Sequence, residues 1–146
     1  MKERVFVDTN VLVYADDLDA GDKRARARAL LGEVLREQNG VLSTQVLQEF
    51  FVVTTRKLGV APALARRKIE LLATLDVVTI QISHILQAID LHRLHSVSFW
   101  DGLILACAAA SGCTRLWSED MQDGAVIAGV RIENPFAQGS TAAPGG

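Results

Sequence analysis

The chain has 146 residues, of which 49% are hydrophobic and 22% charged, with a formal net charge of −2. This length and composition indicate one globular, soluble domain with a real core, and they exclude a disordered protein. No apolar run is long enough to span a bilayer, and the net charge gives the molecule as a whole no attraction to nucleic acid.

The first half of the chain predicts short strands alternating with amphipathic helices. We expect strands over residues 4–7 and 41–42, and helices over residues 10–15, 22–38 and 43–58. Asn39-Gly40 ends the second of these helices, and Gly59 ends the third. Asp8 and Asn10 interrupt the apolar stretch near the N-terminus, so we expect no signal peptide and a cytoplasmic location.

The second half continues the same alternation. We expect helices over residues 63–75, 83–95 and 99–111, and strands over residues 77–80, 114–117 and 130–132. The core side of helix 83–95 is predicted to consist of Ile85, Leu86, Ile89 and Leu94. Residues 1–136 are expected to form a single domain, and the Gly-, Ser- and Ala-rich residues 137–146 a disordered tail. This alternation predicts an α/β fold with a mostly parallel sheet covered on both faces.

Four acidic residues stand where such a sheet would bring them together. Asp8 directly follows the first strand, and Asp120 lies three residues past strand 114–117. Glu49 and Asp101 lie in the early turns of their helices. The carboxyl ends of parallel strands share one edge, so these four carboxylates are expected to meet there.

Carboxylates that meet at one edge repel each other. Two like charges about 4 Å apart cost roughly 4 kcal/mol at an effective dielectric constant near 20. A divalent cation relieves that cost, and oxygen ligands select Mg²⁺ or Mn²⁺ over zinc. Such a site is suited to metal-assisted hydrolysis of phosphodiesters.

Each acid also has a purely structural explanation. Asp8 is a suitable N-cap for the helix that follows it, and Asp101 has the spacing of a capping box with Ser98. Glu49 is explained as an exposed mid-helix residue and Asp120 as a turn former. Taken singly, none of the four acids requires a metal.

The basic residues form two clusters. One contains Lys23, Arg24, Arg26 and Arg28, and the other contains Arg56, Lys57, Arg66, Arg67 and Lys68. Both are consistent with solvated helix faces and with a rim that contacts phosphates.

Four segments together resemble the PIN-domain family, and most closely its VapC-type toxins from bacterial and archaeal toxin–antitoxin pairs. They are Phe-Val-Asp-Thr-Asn (6–10), Gln-Val-Leu-Gln-Glu-Phe (45–50), Ser-Phe-Trp-Asp-Gly-Leu-Ile-Leu-Ala (98–106) and Trp-Ser-Glu-Asp-Met-Gln-Asp-Gly (117–124). The resemblance implies a three-layer α/β/α fold and a Mg²⁺- or Mn²⁺-dependent endoribonuclease.

The resemblance also implies roles for individual residues. The family's catalytic and metal-binding acids correspond to Asp8, Glu49, Asp101 and Asp120, and its supporting positions to Asn10, Ser118 and Asp123. Only some members carry an acid at the position of Asp123, which is either a ligand acting through water or a loop residue. The implied partners are an RNA substrate, a second copy of the chain, and a cognate antitoxin whose C-terminal segment lies across the active-site groove.

Three alternatives remain beside this interpretation. The first is a catalytically inactive PIN-like module that binds RNA or protein, which the complete acidic set disfavours. The second is a metal-dependent DNA nuclease, although the chain has no added elements to grip bent DNA. The third is a receiver- or phosphatase-like domain, which is disfavoured because no lysine follows Lys68.

Overall fold

A six-stranded sheet organises the chain in the computed structural model, which describes residues 3–137. The strands are β1 (Val5–Val7), β2 (Gly40–Ser43), β3 (Asp76–Val78), β4 (Arg115–Trp117), β5 (Val126–Ile127) and β6 (Val130–Glu133). Their order across the sheet is β3-β2-β1-β4-β6-β5, and all pairs are parallel except β5 with β6. The predicted α/β class with a mostly parallel central sheet is confirmed.

Six helices within the described residues connect and cover these strands. They are α1 (Thr9–Tyr14), α2 (Asp22–Glu37), α3 (Thr44–Arg56), α4 (Pro62–Leu72), α5 (Ile82–His95) and α6 (Phe99–Ala110). None of them is long and apolar enough to cross a membrane. Predicted and observed boundaries differ by at most three residues. The predicted tail, apart from Ala137, lies outside the described residues.

The core is centred on β1 and α6. All three residues of β1 are buried, and the residues from Gly102 to Ala108 are buried without interruption along α6. Helix α6 packs closely against α5. A Cβ atom placed on Gly102 of α6 would lie only 2.8 Å from the carbonyl oxygen of Ala88 in α5. A glycine at this point therefore permits the two helix backbones to approach each other.

The predicted inner face of α5 is wrong for three of its four residues, since only Ile85 packs against the core. Leu86, Ile89 and Leu94 are 57%, 40% and 76% exposed, whereas Ala88 and Leu91 are buried. The close contact with α6 accounts for the difference, since the small side chain of Ala88 must face Gly102, and this orientation leaves Leu86, Ile89 and Leu94 outside.

Strand β5 is absent from the predicted elements. It has only two residues and turns back through Ala128 and Gly129, which have φ angles of +54° and +78°. Two successive residues with positive φ form the kind of tight turn that joins twisted antiparallel strands. Here an alanine occupies one of them, so the usual sequence signal of the turn is missing.

Candidate functional site

The register of two central strands sets the position of the site. β1 pairs with β4 so that Val7 lies opposite Trp117, and the backbone N–H of Asp8 donates to the carbonyl of Trp117 at 3.0 Å. Asp8 and Ser118 are therefore the first residues past the ends of neighbouring parallel strands. The Ser118 hydroxyl donates to Asp8 Oδ2 at 2.7 Å, although the two residues are 110 positions apart.

Asp8 is a buried carboxylate, with 4% of its surface exposed. Its Oδ1 atom accepts the backbone N–H of Thr9 at 2.7 Å, and Oδ2 also accepts the side-chain amide of Asn10 at 3.2 Å. Burial raises the pKa of Asp8 to about 6 against the opposing effect of the Ser118 and Thr9 hydrogen bonds. The charges of Asp101 and Asp120 raise it further.

Asn10 and Ser118 connect Asp8 to Asp120. The Asn10 amide nitrogen donates to Asp120 Oδ2 at 3.1 Å, and its oxygen accepts the backbone N–H of Glu119, also at 3.1 Å. The Ser118 oxygen accepts the backbone N–H of Asp120 at 3.2 Å. Asn10 and Ser118, two of the three predicted supporting residues, thus contact Asp8 and either the side chain or the backbone of Asp120.

Glu49 joins the site through two residues that sequence analysis did not assign to it. The Thr9 hydroxyl donates to Glu49 Oε1 at 2.7 Å, and the buried Gln45 amide donates to Oε2 at 3.4 Å. Gln45 precedes Glu49 by one helical turn, so the i, i+4 spacing of an amide and a carboxylate was an available signal. Thr9 had no such signal, because its partner comes from a different helix.

Asp101 approaches the other acids from α6. Its backbone N–H donates to Ser98 Oγ at 3.0 Å, so the predicted capping of this helix by Ser98 is confirmed. Burial raises the pKa of the Asp101 carboxyl, and the charges of Asp120 and Glu49 act in the same direction. The charges of Asp101 and Asp120 act on Asp8, and those of Asp120 and Glu49 act on Asp101. All four predicted acids therefore belong to one electrostatic cluster.

Asp123 makes its contact elsewhere. Its Oδ1 atom accepts the backbone N–H of Asn134 at 2.9 Å, just after β6. This bond ties the loop that follows Asp120 to the end of the sheet. It explains an acid at this position without a metal.

A divalent cation fits the chemistry of these donors. The four acids supply only oxygen ligands, and their mutual repulsion favours a bound positive charge. No three His, Cys, Asp or Glu side chains within residues 3–137 form a ready-made ligand group for one ion. The acids are instead turned toward protein donors, as Asp8 is toward Ser118 and Glu49 toward Thr9.

A groove of about 620 Å³ opens beside the acids. Asn10, Glu49 and Asp120 line one part of it, and Lys57 lines another. The remaining wall is largely apolar and consists chiefly of Val13, Tyr14, Val52, Val53 and Leu58. Glu49 and Lys57 are eight residues apart along α3, which corresponds to about 12 Å.

The two basic clusters differ in how far the protein itself uses them. Lys23 pairs with Glu119, while Arg26 and Arg28 donate through Nε to the carbonyls of Pro135 and Ala15 at 3.2 and 2.9 Å. The first cluster is thus largely occupied by contacts within the fold. In the second cluster Arg66 pairs with Glu70 and Lys68 with Asp16. Lys57 lines the groove beside the acids, where it can contact a phosphate.

Comparison with known proteins gives a family and two structures of similar fold. The sequence profile of the PIN domain matches residues 5–123. VapC20 of Mycobacterium tuberculosis, described as a toxin that cleaves the sarcin–ricin loop, is 21% identical with a TM-score of 0.66, over 80% of this chain and 91% of its own. A toxin–antitoxin complex from Klebsiella pneumoniae contains a chain 22% identical with a TM-score of 0.66, over 90% of this chain and 98% of that one. No curated protein matches the chain significantly.

Proposed function

The chain belongs to the PIN domain family, a family of nucleases, and from this premise we propose that it is a Mg²⁺- or Mn²⁺-dependent endoribonuclease. We propose further that it is the toxin of a type II toxin–antitoxin pair. The observation that carries the proposal is the electrostatic cluster formed by Asp8, Glu49, Asp101 and Asp120. A fold gains little from four carboxylates that repel each other unless a cation and a substrate use them.

The protein side chains would hold and orient the reacting groups. Asp8, Glu49, Asp101 and Asp120 would bind the cation, which when bound neutralises their charge and acidifies water at the phosphodiester. Because Asp8 already accepts three hydrogen bonds, it offers an ordered oxygen to the ion.

Two further residues would act around the acids. Thr9 fixes one oxygen of Glu49, so that the other is directed by the weaker contact with Gln45 and is the easier one to redirect. Lys57, on the groove lining, is placed to contact a phosphate of the RNA backbone.

A single-stranded loop of a structured RNA is the substrate class we favour. Unpaired bases can be splayed away from their neighbours, which exposes the phosphodiester to an edge-of-sheet site. The description of VapC20 as a sarcin–ricin loop cleaving toxin agrees with this class. The apolar wall of the groove offers a surface for an unstacked base.

Two protein partners belong to the proposal. The Klebsiella pneumoniae structure is a toxin–antitoxin complex, and a cognate antitoxin covering the groove would silence the site here. A homodimer would cover the exposed apolar residues of α5, which include Leu86, Ile89 and Leu94, together with Trp100 at the start of α6. Exposed large apolar side chains that lie together on a surface mark association sites, and these four residues come from two helices that pack against each other.

The test is cleavage of total RNA by wild type, Asp8→Asn and Asp101→Asn in Mg²⁺, Mn²⁺ or EDTA. We expect discrete products that require the metal and disappear in both variants. Asp19→Asn, which changes an exposed acid in the loop before α2, is the matched control and should cleave like wild type. Cleavage that survives EDTA and both site variants would contradict the proposal.

The same samples separate the alternatives. Cleavage of single-stranded DNA but not RNA would favour the DNA nuclease. RNA binding without cleavage under all metal conditions would favour the inactive binding module. Asp123→Asn decides the role of that residue. The substitution should lower activity if Asp123 binds the metal through water, and it should lower only stability if Asp123 is a loop residue.

A further inference from the structure

Glu119 lies between two site residues in the sequence, but its side chain joins a different group of residues. It accepts a hydrogen bond from the Tyr14 hydroxyl at 2.5 Å and pairs with the Lys23 ammonium. Lys23 Nζ also lies 4.9 Å from the centre of the Tyr14 ring and 5.9 Å from that of Phe136, and the two rings meet edge to face. Tyr14, Lys23, Glu119 and Phe136 are called the Glu119 cluster below.

The Glu119 cluster draws on separate parts of the chain. Tyr14 is the last residue of α1, Lys23 is in the first turn of α2, and Phe136 follows β6. The backbone N–H of Glu119 donates to Asn10, as described above. Residue 119 is therefore fixed both through its main chain and through its side chain.

The adjacent site residues depend on this fixation. Asp120 is exposed, and its carboxylate accepts the Asn10 amide at 3.1 Å. Ser118 donates to Asp8 and accepts the N–H of Asp120. A shift of residue 119 would move Ser118 Oγ and the Asp120 carboxylate together.

The Lys23–Glu119 pair is too exposed to contribute much to stability. The side chains are 43% and 22% exposed, and ion pairs at such positions are worth little because solvent screens them and ordering them costs side-chain entropy. The pair does neutralise a carboxylate that would otherwise be a fifth acid beside Asp120. Its value therefore lies in the placement of the chain and in the local charge.

We propose that Glu119, held by Lys23 and Tyr14, is a positioning residue for the reaction of this site. It sets the location of Asp120 and Ser118 without contacting the cation or the RNA. The inference rests on the proposed nuclease function and adds residues to it. A displacement of about 1 Å at a reacting group can lower a rate by up to roughly a hundredfold, so a modest shift of residue 119 would be measurable.

The decisive test is a charge swap. Glu119→Lys and Lys23→Glu each break the pair, and the double variant restores it with reversed polarity. We expect each single variant to lose about tenfold in kcat with KM within about twofold of wild type, and the double variant to recover most of that loss. Equal kcat in wild type and both single variants would overturn the inference.

Two controls separate positioning from stability and from charge. Asp76→Asn breaks the Arg4–Asp76 pair, whose side chains are 37% and 55% exposed and which lies at the starts of β1 and β3, away from the acids, and it should leave kcat unchanged. Tyr14→Phe removes only the hydroxyl and keeps all charges, so we expect a kcat loss in the same direction of about threefold. A kcat loss in Asp76→Asn that matches that of Glu119→Lys would mean that general loosening, not positioning, explains the effect.

Binding of Mn²⁺ tests the positioning role of Glu119 without RNA, and therefore independently of the proposed nuclease activity. Mn²⁺ binding followed by calorimetry should be about threefold weaker in Tyr14→Phe than in wild type, because Asp120 is less well placed. Wild type that binds Mn²⁺ but leaves every RNA intact would refute the proposed function alone. Identical Mn²⁺ affinity in wild type and Tyr14→Phe would refute the positioning role.

Discussion

Replacement of Asp8 by asparagine should make the metal-free protein more stable at neutral pH. Asparagine keeps the shape of the side chain but carries no charge. In the wild type, burial raises the pKa of Asp8 to about 6 from an ordinary value of 3.8. The folded protein therefore holds a buried carboxylate whose ionisation disfavours the folded state.

The size of the effect follows from the two pKa values. A difference of about 2.2 units, from 3.8 to about 6, corresponds to roughly 3 kcal/mol at 1.36 kcal/mol per unit. The asparagine variant loses part of this gain in stability. Asp8 accepts hydrogen bonds from Thr9, Asn10 and Ser118, and an amide group cannot accept from all three. One poorly matched hydrogen bond costs about 1 kcal/mol. We therefore expect a net gain of about 2 kcal/mol in the free energy of unfolding at pH 7.

The pH dependence has a definite sign. The contribution of Asp8 to wild-type stability is fully present below pH 3.8, and it is lost as the pH rises through about 6 because the folded state binds the proton more tightly. Asp8→Asn has no such loss. The difference between the two proteins should therefore grow between about pH 4 and 7 and then level off.

Urea unfolding in EDTA, followed by circular dichroism from pH 4 to 8, measures this difference directly. Adding Mn²⁺ at pH 7 should reverse the order, because a cation that binds only the folded wild type stabilises it by mass action. A variant that is no more stable than wild type at pH 7, or a difference that does not change with pH, would refute the assigned burial of charge at Asp8.

Three further predictions address other parts of the molecule. Gly102→Ala should lower the free energy of unfolding by about 1–3 kcal/mol in urea unfolding, because the new methyl group would meet the backbone of α5, whereas Gly32→Ala within α2 should raise it by up to about 1 kcal/mol. Thr9→Val should lower kcat about fivefold in an RNA cleavage assay and lower the thermal midpoint by only about 2–6 °C, because it removes about 1 kcal/mol of hydrogen bonding to Glu49 and keeps the side-chain volume. Leu86→Asp should convert a dimer to a monomer in light scattering, and a wild-type monomer would contradict the proposed dimer.

The sheet and its helices could be predicted because their signals are local. Apolar strands, helical spacing, and stop residues such as Gly59 all act within a few positions, and each predicted element is present. The inner face of α5 could not be predicted in the same way. Its orientation is decided by the close approach of Ala88 to Gly102, which belongs to another helix, so that apolar spacing within α5 places only Ile85 of the four predicted residues correctly.

The candidate site also combines residues that could be predicted from the sequence with contacts that could not. The four acids follow from their positions after strands or early in helices, and those positions come from the chain order alone. The contacts of Thr9 with Glu49 and of Glu119 with Lys23 join residues 40 and 96 positions apart, so no local pattern records them. For Asp123, only the bond to Asn134 is in place, and a part in metal binding stays a prediction.

The pairing of β1 with β4 also bears on how the protein is made. Asp8 leaves the ribosome early, but Ser118, its hydrogen-bond partner, is translated 110 residues later. At about 5–20 residues per second, that interval lasts roughly 5–20 s. During this time β1 lacks β4, one of its two neighbouring strands. Asp8 therefore lacks its contact with Ser118, and Asp120 has not yet been added to the chain. The nascent chain therefore has no assembled site until Ser118 has been added, and a partner that recognises the arranged carboxylates would bind only after that point.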